Sequence, residues 1–229
     1  MGCILSIESA VTSASVAVSQ DGALLFDKQD NEARSHASML GVFVDQALSF
    51  IDSRGLALDA VAVSKGPGSY TGLRVGVSMA KGICYGRGVR LLGIPTLQVL
   101  CVPTLLYADL PENALLCPMI DARRMEVYSA LYDRSLKEMM PTSAVVIDKD
   151  SFKGVLDRQP VWFMGDGAEK CKGVIVHENA HFVDGAVPSA KSMFVLAEKA
   201  FNQGEFQDIA YFEPFYLKDF IAIKPKPLF

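Results

Sequence analysis

Three histidines and one tryptophan are all this chain holds of either residue, and its 22 lysines and arginines nowhere gather into a run. Against 26 acidic residues they leave a net charge of −4. That balance argues against unaided binding to nucleic acid, because such affinity is mostly phosphate neutralisation, so any nucleic-acid role is expected to need a partner. The scarcity of histidine leaves few places for a Ser/His or Cys/His catalytic pair. Cys3, Cys84, Cys101, Cys117 and Cys171 are odd in number, show no C-x-x-C spacing and sit mostly in apolar runs. They read as reduced, buried thiols of a cytosol, with no disulfides. No stretch of about 18 apolar residues and no basic n-region with an apolar h-region is present, so a cytoplasmic protein without a membrane span is expected. The opening "MGCILS" satisfies a myristoylation pattern, yet Ile4, Leu5 and Ile7 read more simply as a core strand.

The phosphate-binding templates are missing as well. The glycine-dense stretch "SKGPGSYTGLRVG", Ser64 to Gly76, places Gly66, Gly68 and Gly72 in G-x-G-x-x-x-G, one residue too long for the dinucleotide fingerprint. No G-x-x-x-x-G-K-[ST] occurs, and Ser69 does not stand in G-x-S-x-G. An anion or partner site competes here with a tight turn that lets strand and helix pack closely.

What is present is a soluble α/β pattern, half of it apolar and large enough for one domain or two lobes. "CILSIES", "SASVAVSQ" and "GALLFDK" are short strands, with Asp21-Gly22 as a hairpin signal. A helix follows from Ser35, a candidate N-cap, with Leu40, Phe43, Val44, Ala47, Leu48 and Ile51 at helical spacing until Gly55. Next come the strand "DAVAVSK", the glycine loop, a helix from about Thr71 to Tyr85, and "VRLLGIP". After Pro111 a second strand-rich region opens with "ALLCPMID", "MEVYSALYD", "AVVID" and "VWFMGDG", and a helix is expected near Ser189 to Phe201. These features divide the chain into lobes at 1–105 and 106–229. No sequence repeat is visible, so duplication of the lobes is a hypothesis that matching topologies would support. The end, "YFEPFYLKDFIAIKPKPLF", reads as an extended tail.

On the helix after the glycine loop, Arg74, Ser78, Lys81 and Tyr85 form one narrow polar stripe. Leu73, Val77, Ala80 and Cys84 form one apolar face, and Val75, Met79 and Ile83 a second. A helix apolar over roughly two thirds of its circumference is buried on more than one side. The preceding helix repeats this, with Met39, Phe43 and Phe50 beside the stripe that includes Leu40. The second side is expected to meet another subunit. The expected interface comprises His36, Met39, Leu40, Phe43 and Phe50 of the first helix, with Tyr70, Thr71, Arg74, Val75, Met79 and Ile83 of the second.

"HENAH", His177 to His181, is a literal H-E-x-x-H, which in a zinc peptidase puts two ligands on one helix face with Glu178 as general base. Its flanks, "GVIV" and "FVDG", are strand- or turn-forming, and residues four apart in a strand lie roughly 13 Å from each other. No metal site is expected there. Asp121 and Glu126 flank "ARRM", where Arg123 or Arg124 could pair with either carboxylate as structural ion pairs.

Taken together, "ILSIES", "GPGSYTGLRVGVSMAKGI", "LLGIPTLQVL", "IDARRMEVY", "GDG" at 165–167 and "PFYLK" from Pro214 closely resemble the bacterial TsaB family, also called YeaZ. The resemblance implies an α/β, actin-like fold of two lobes, related to sugar kinases and chaperone ATPases, with a reduced second lobe. It implies a non-catalytic scaffold subunit of the complex that makes threonylcarbamoyladenosine on the tRNA adenosine adjacent to the anticodon. Its implied partners are a larger catalytic paralogue of the TsaD type, which holds the metal, and a small ATPase of the TsaE type. A homodimer is implied for the chain alone, with ATP and metal on the partners and no cofactor on this chain by itself. Tests of that assignment lie in the residues. An actin-like ATPase needs a glycine-bearing hairpin with an acid; here Glu8 to Ser13 keep the acid and lack the glycine. Asp121-Ala122-Arg123-Arg124 puts side chains where backbone would approach phosphates, and "GIPTLQVL" lacks the paralogue's histidine pair. A degenerate active site with no catalytic residue is expected. A nucleotide at the subunit junction, touching Glu8, Ser69, Thr71 or Arg74, stays open, as do a standalone ATPase or kinase and, further off, the peptidase.

Overall fold

The computed structural model describes residues 2–30 and 36–218, with the side chains of 36–38 left aside. The N-cap expected at Ser35, the side chain of His36 and the tail from 219 lie outside the described residues. The first lobe runs β1 (Cys3–Glu8), β2 (Ala14–Gln20), β3 (Ala23–Asp30), α1 (His36–Ser53), β4 (Leu58–Gly66), α2 (Tyr70–Arg87), β5 (Arg90–Pro95) and α3 (Thr96–Tyr107). The hairpin from β2 to β3 turns on Asp21 and Gly22, both at positive φ (53° and 80°), as a tight Asp-Gly turn requires. The second region runs β6 (Leu115–Asp121), β7 (Glu126–Tyr132), β8 (Glu138–Val146), α4 (Lys153–Leu156), β9 (Val161–Met164), α5 (Asp166–Glu169), β10 (Ala180–Val183), α6 (Ala190–Gln203) and β11 (Phe206–Gln207).

The two sheets are wound alike. In the first the strand order is β5-β4-β1-β2-β3, extended by β11 beside β5; in the second it is β10-β9-β6-β7-β8. Each opening strand pairs antiparallel with the meander that follows it and parallel with the crossover strand on its other side. That is the matching topology a duplication produces, and no residue pattern displayed it. The second copy is reduced because its crossover helices, α4 and α5, have shrunk to four residues each.

The boundary at 105 separates the sheets, but the assignment of all of 106–229 to the second lobe is corrected by the structure. Met193, Ala197 and Ala200 of α6 pack on Ile4, Ala60, Ala62 and Leu92, the outer face of the first sheet. β11 pairs with β5. The apolar stripe of α6 has nowhere to be buried in a lobe without long helices, so the chain returns. The opposite face of the first sheet is covered by α1 and α2, which bury Leu40, Val44, Ala47, Ile51, Val77, Ala80 and Cys84 against Leu5, Ile7, Val16 and Val63. Between the lobes lies α3, whose Leu97, Leu100 and Cys101 pack with Leu116, Ile120, Tyr132 and Met164 of the second.

All five cysteines are free and buried. Burial pushes the thiols of Cys3 and Cys84 up to about 11 and that of Cys117 to about 12, so they pack as small apolar groups and not as nucleophiles. Among the described residues no helix is long and apolar enough to cross a membrane.

Candidate functional site

The glycine loop closes on the β1–β2 hairpin. Ser69 donates its backbone N–H to the carbonyl of Ala10 (2.6 Å), and the Ser9 hydroxyl donates to the carbonyl of Gly72 (2.9 Å). A Cβ at Gly68, Gly72 or Gly76 would overlap Ala10 O, Ser9 O or Ser9 Oγ respectively. These glycines therefore serve close approach of helix and hairpin, the packing alternative drawn from the sequence. Helix α2 starts where Ser69 Oγ accepts from Gly72 N (3.4 Å) and ends on left-handed Gly88. Gly72→Ala is expected to cost about 2 kcal/mol, since backbone would have to move. The control is Gly82→Ala on the same helix, where nothing lies within 4 Å and stability should rise by about 0.5–1 kcal/mol; urea midpoints of the two variants check both.

Glu8 is fully buried. Its carboxylate accepts from Ala10 N (2.7 Å) and from the Ser64 hydroxyl. Desolvation pushes it up to about 7, against the lowering effect of those hydrogen bonds. Glu8 thus stands apart from Ser69, Thr71 and Arg74, which are exposed, and the structure does not bring the four to one surface. Ser64, the partner of Glu8, went unnoticed in the sequence; only the pairing of β1 with β4 reveals it.

The matching turn of the second lobe, between β6 and β7, holds Arg123 and Arg124 at φ of 72° and 52°. Asp121 accepts from Arg123 N (2.8 Å) and from Lys170 Nζ, and Asp166 accepts from Asp121 N (3.0 Å). These contacts hold the Asp121 carboxyl below its ordinary value against the opposing effect of burial, whereas burial raises that of Asp166. The ion pairs foreseen with Arg123 or Arg124 are corrected: Asp121 pairs with Lys170 and Glu126 with Lys218. At both turns, N–H groups bond to the chain's own carboxylates: Ala10 N to Glu8 at the hairpin, and Arg123 N and Asp121 N to Asp121 and Asp166 at the second.

"HENAH" spans a loop, a turn and the start of β10. His177 Nε2 lies 3.3 Å from Asp157, while the ring of His181 stacks on Trp162 with centroids 4.3 Å apart. No shared helix face exists to bring the two rings to one zinc, and no cluster of three or more ligating residues occurs among the described residues.

Helices α1 and α2 are tied at their ends by Arg87 to Asp52, two bonds of 2.7 and 2.8 Å. Met39, Val75, Met79 and Ile83 are only partly buried beside the core these helices cover. Leu40 is completely enclosed and Phe43 nearly so, which corrects their placement at a partner surface: both point into the first sheet. Phe50 stands elsewhere, on Phe26 (5.3 Å) and under Arg54. Tyr70 carries the Arg74 guanidinium 4.5 Å above its ring, and Thr71 is exposed. Val42, 47% exposed on α1, is an apolar surface residue the sequence did not single out.

Two like-wound mixed sheets with a helix packed between them define the actin-like class of folds. A crystal structure titled YeaZ, from Pseudomonas aeruginosa, superposes with a TM-score of 0.80 at 23% identity, over 95% of this chain and all of that one. The family model described as TsaD, tRNA N6-adenosine threonylcarbamoyltransferase, matches residues 30–226. A curated relative from Escherichia coli K12, named tRNA threonylcarbamoyladenosine biosynthesis protein TsaB, is 27% identical over 98% of both chains. One of the same name from Bacillus subtilis 168 is 28% identical over 75% of this chain and 74% of its own. The chain belongs to the TsaD-type family and, within it, to the TsaB (YeaZ) group.

Proposed function

We propose that this chain is a non-catalytic subunit of the tRNA threonylcarbamoyladenosine machinery, which modifies the adenosine adjacent to the anticodon. It holds a larger, catalytic paralogue of the TsaD type through the flanks of α1 and α2, and a small ATPase of the TsaE type joins them. Alone, the chain pairs with itself through the same face. ATP and metal belong to the partners, and tRNA is met through the assembly, since the chain carries a net charge of −4. It works in the cytoplasm.

The observation that supports this reading is the self-occupied hairpin and turn: Ala10 N, Arg123 N and Asp121 N bond to Glu8, Asp121 and Asp166. An active phosphate cradle leaves such groups free for the ligand. Beside it lie the half-covered Val75, Met79 and Ile83.

An omission assay tests the reading. The other pathway proteins, tRNA, threonine, bicarbonate and ATP are incubated with and without this chain, and the modified nucleoside is scored by mass. Modification should collapse without the chain, and the isolated chain should neither turn over ATP nor retain zinc. Equal modification in its absence, or ATP turnover by the chain alone, overturns the proposal.

A further inference from the structure

From Asp208 to Lys218 the chain crosses the first lobe and reaches the second. Lys81 of α2 donates Nζ to the carbonyls of Ala210 (3.2 Å) and Phe212 (3.1 Å). Phe215 donates its N–H to the carbonyl of Lys65 (2.6 Å), and the Tyr216 ring packs on Tyr70 at 4.7 Å. Lys218 then pairs with Glu126 of β7, in the other lobe.

The path of this segment is built into the first sheet. A Cβ at Gly93 of β5 would come within 2.7 Å of the Phe212 ring, and one at Gly66 of β4 within 2.6 Å of the Phe215 carbonyl. Two neighbouring strands thus carry glycine where any side chain would push the segment off. The same Phe215 lines a cavity of about 440 Å³ between the lobes, with Lys65 and Pro95 on one side and Tyr132 and Glu138 on the other.

We propose that residues 208–218 are a clasp that sets the angle between the two lobes, with the Lys218–Glu126 pair as its releasable end. The fastenings differ in kind. Those on the first lobe are ring packing over fitted glycines and three hydrogen bonds to main-chain carbonyls, one from the Phe215 N–H and two from the Lys81 ammonium, several contacts that salt weakens less than a lone ion pair. The one on the second lobe is a half-exposed ion pair, individually weak and weakened further by salt. Release therefore starts at the second lobe, where, among the described residues, the cluster built on α3 still packs the sheets together. It also loosens the start of α2, because the clasp holds Lys65, Tyr70 and Lys81. The lobe angle and the posture of α2 are coupled through one short segment.

The test uses hydrogen exchange and small-angle scattering on the full chain at low salt. Lys218→Glu and Glu126→Lys are each compared with wild type and with the double reversal. Each single variant should speed exchange at the Phe215 amide by about tenfold and enlarge the radius of gyration, while amides of α6 keep their protection. The double reversal should restore both readings. Raising the salt to about 1 M should move the wild-type chain toward the single variants; this measurement needs no substitution and decides the matter where a variant unfolds. Wild-type protection at Phe215 in Lys218→Glu, failure of the double reversal to restore it, or a wild-type chain indifferent to salt overturns the clasp.

Discussion

Met79→Glu is expected to abolish association, both with the catalytic paralogue and between two copies of this chain, while leaving the fold intact. Met79 lies on the flank of α2, between Val75 and Ile83, partly buried against the core beneath. A carboxylate there keeps access to water in the free chain, so the stability cost should be about 1 kcal/mol. In a complex it would be sealed among apolar side chains without a partner. Truncated or unpaired charges at such interfaces cost about 3 kcal/mol or more, which lowers affinity by at least about a hundredfold. Light scattering and titration of the paralogue measure the loss, and circular dichroism checks the fold. Val176→Glu, 82% exposed beyond the second sheet, should change nothing. Undiminished association of the Met79 variant would remove this flank from the proposed interface.

How far the sequence could foresee that surface is clear from its two neighbours, Met39 and Leu40. A helical wheel sets these consecutive residues about 100° apart on α1, and the sequence reading places both at the partner face. The structure encloses Leu40 completely and leaves Met39 partly open. Periodicity reports an angle around the helix axis; it does not report what packs at that angle. For α2 the same reasoning separated the faces correctly, because Leu73, Val77, Ala80 and Cys84 are buried and its polar stripe is narrow enough to orient the rest.

Helix α3 carries no helical signature in its sequence. "TLQVLCVPTLLY" is apolar on every side and carries Pro103 within it, so it shows no 3.6-residue period. Burial between two lobes is the cause of that uniformity. The strand order of the second sheet was equally invisible, since its crossovers have lost the long helices that announce a β-α-β unit. By contrast, the false zinc motif could be dismissed from its flanks alone, and His177 and His181 do engage Asp157 and Trp162 instead. At the hairpin the sequence displayed an acid, Glu8, without indicating that it faces inward to Ser64 rather than toward a ligand.

That inward carboxylate makes the chain less stable as pH rises. The folded-state value is raised from 4.5 to about 7, so the folded chain binds a proton more tightly than the unfolded one. The stabilising contribution is complete below pH about 4.5 and is lost as pH climbs through 7. At about 1.4 kcal/mol per unit, the difference amounts to about 3 kcal/mol. Glu8→Gln removes the titration while keeping both contacts, because the amide oxygen can accept from Ala10 N and the amide N–H can donate to Ser64. The variant should match wild type near pH 4.5 and exceed it by about 3 kcal/mol at pH 8, measured as the difference between two urea titrations. Titrating groups common to both proteins cancel in that difference. If the two proteins instead differ by the same amount at both pH values, the folded-state value of Glu8 does not lie above that of the unfolded chain, and burial does not raise it.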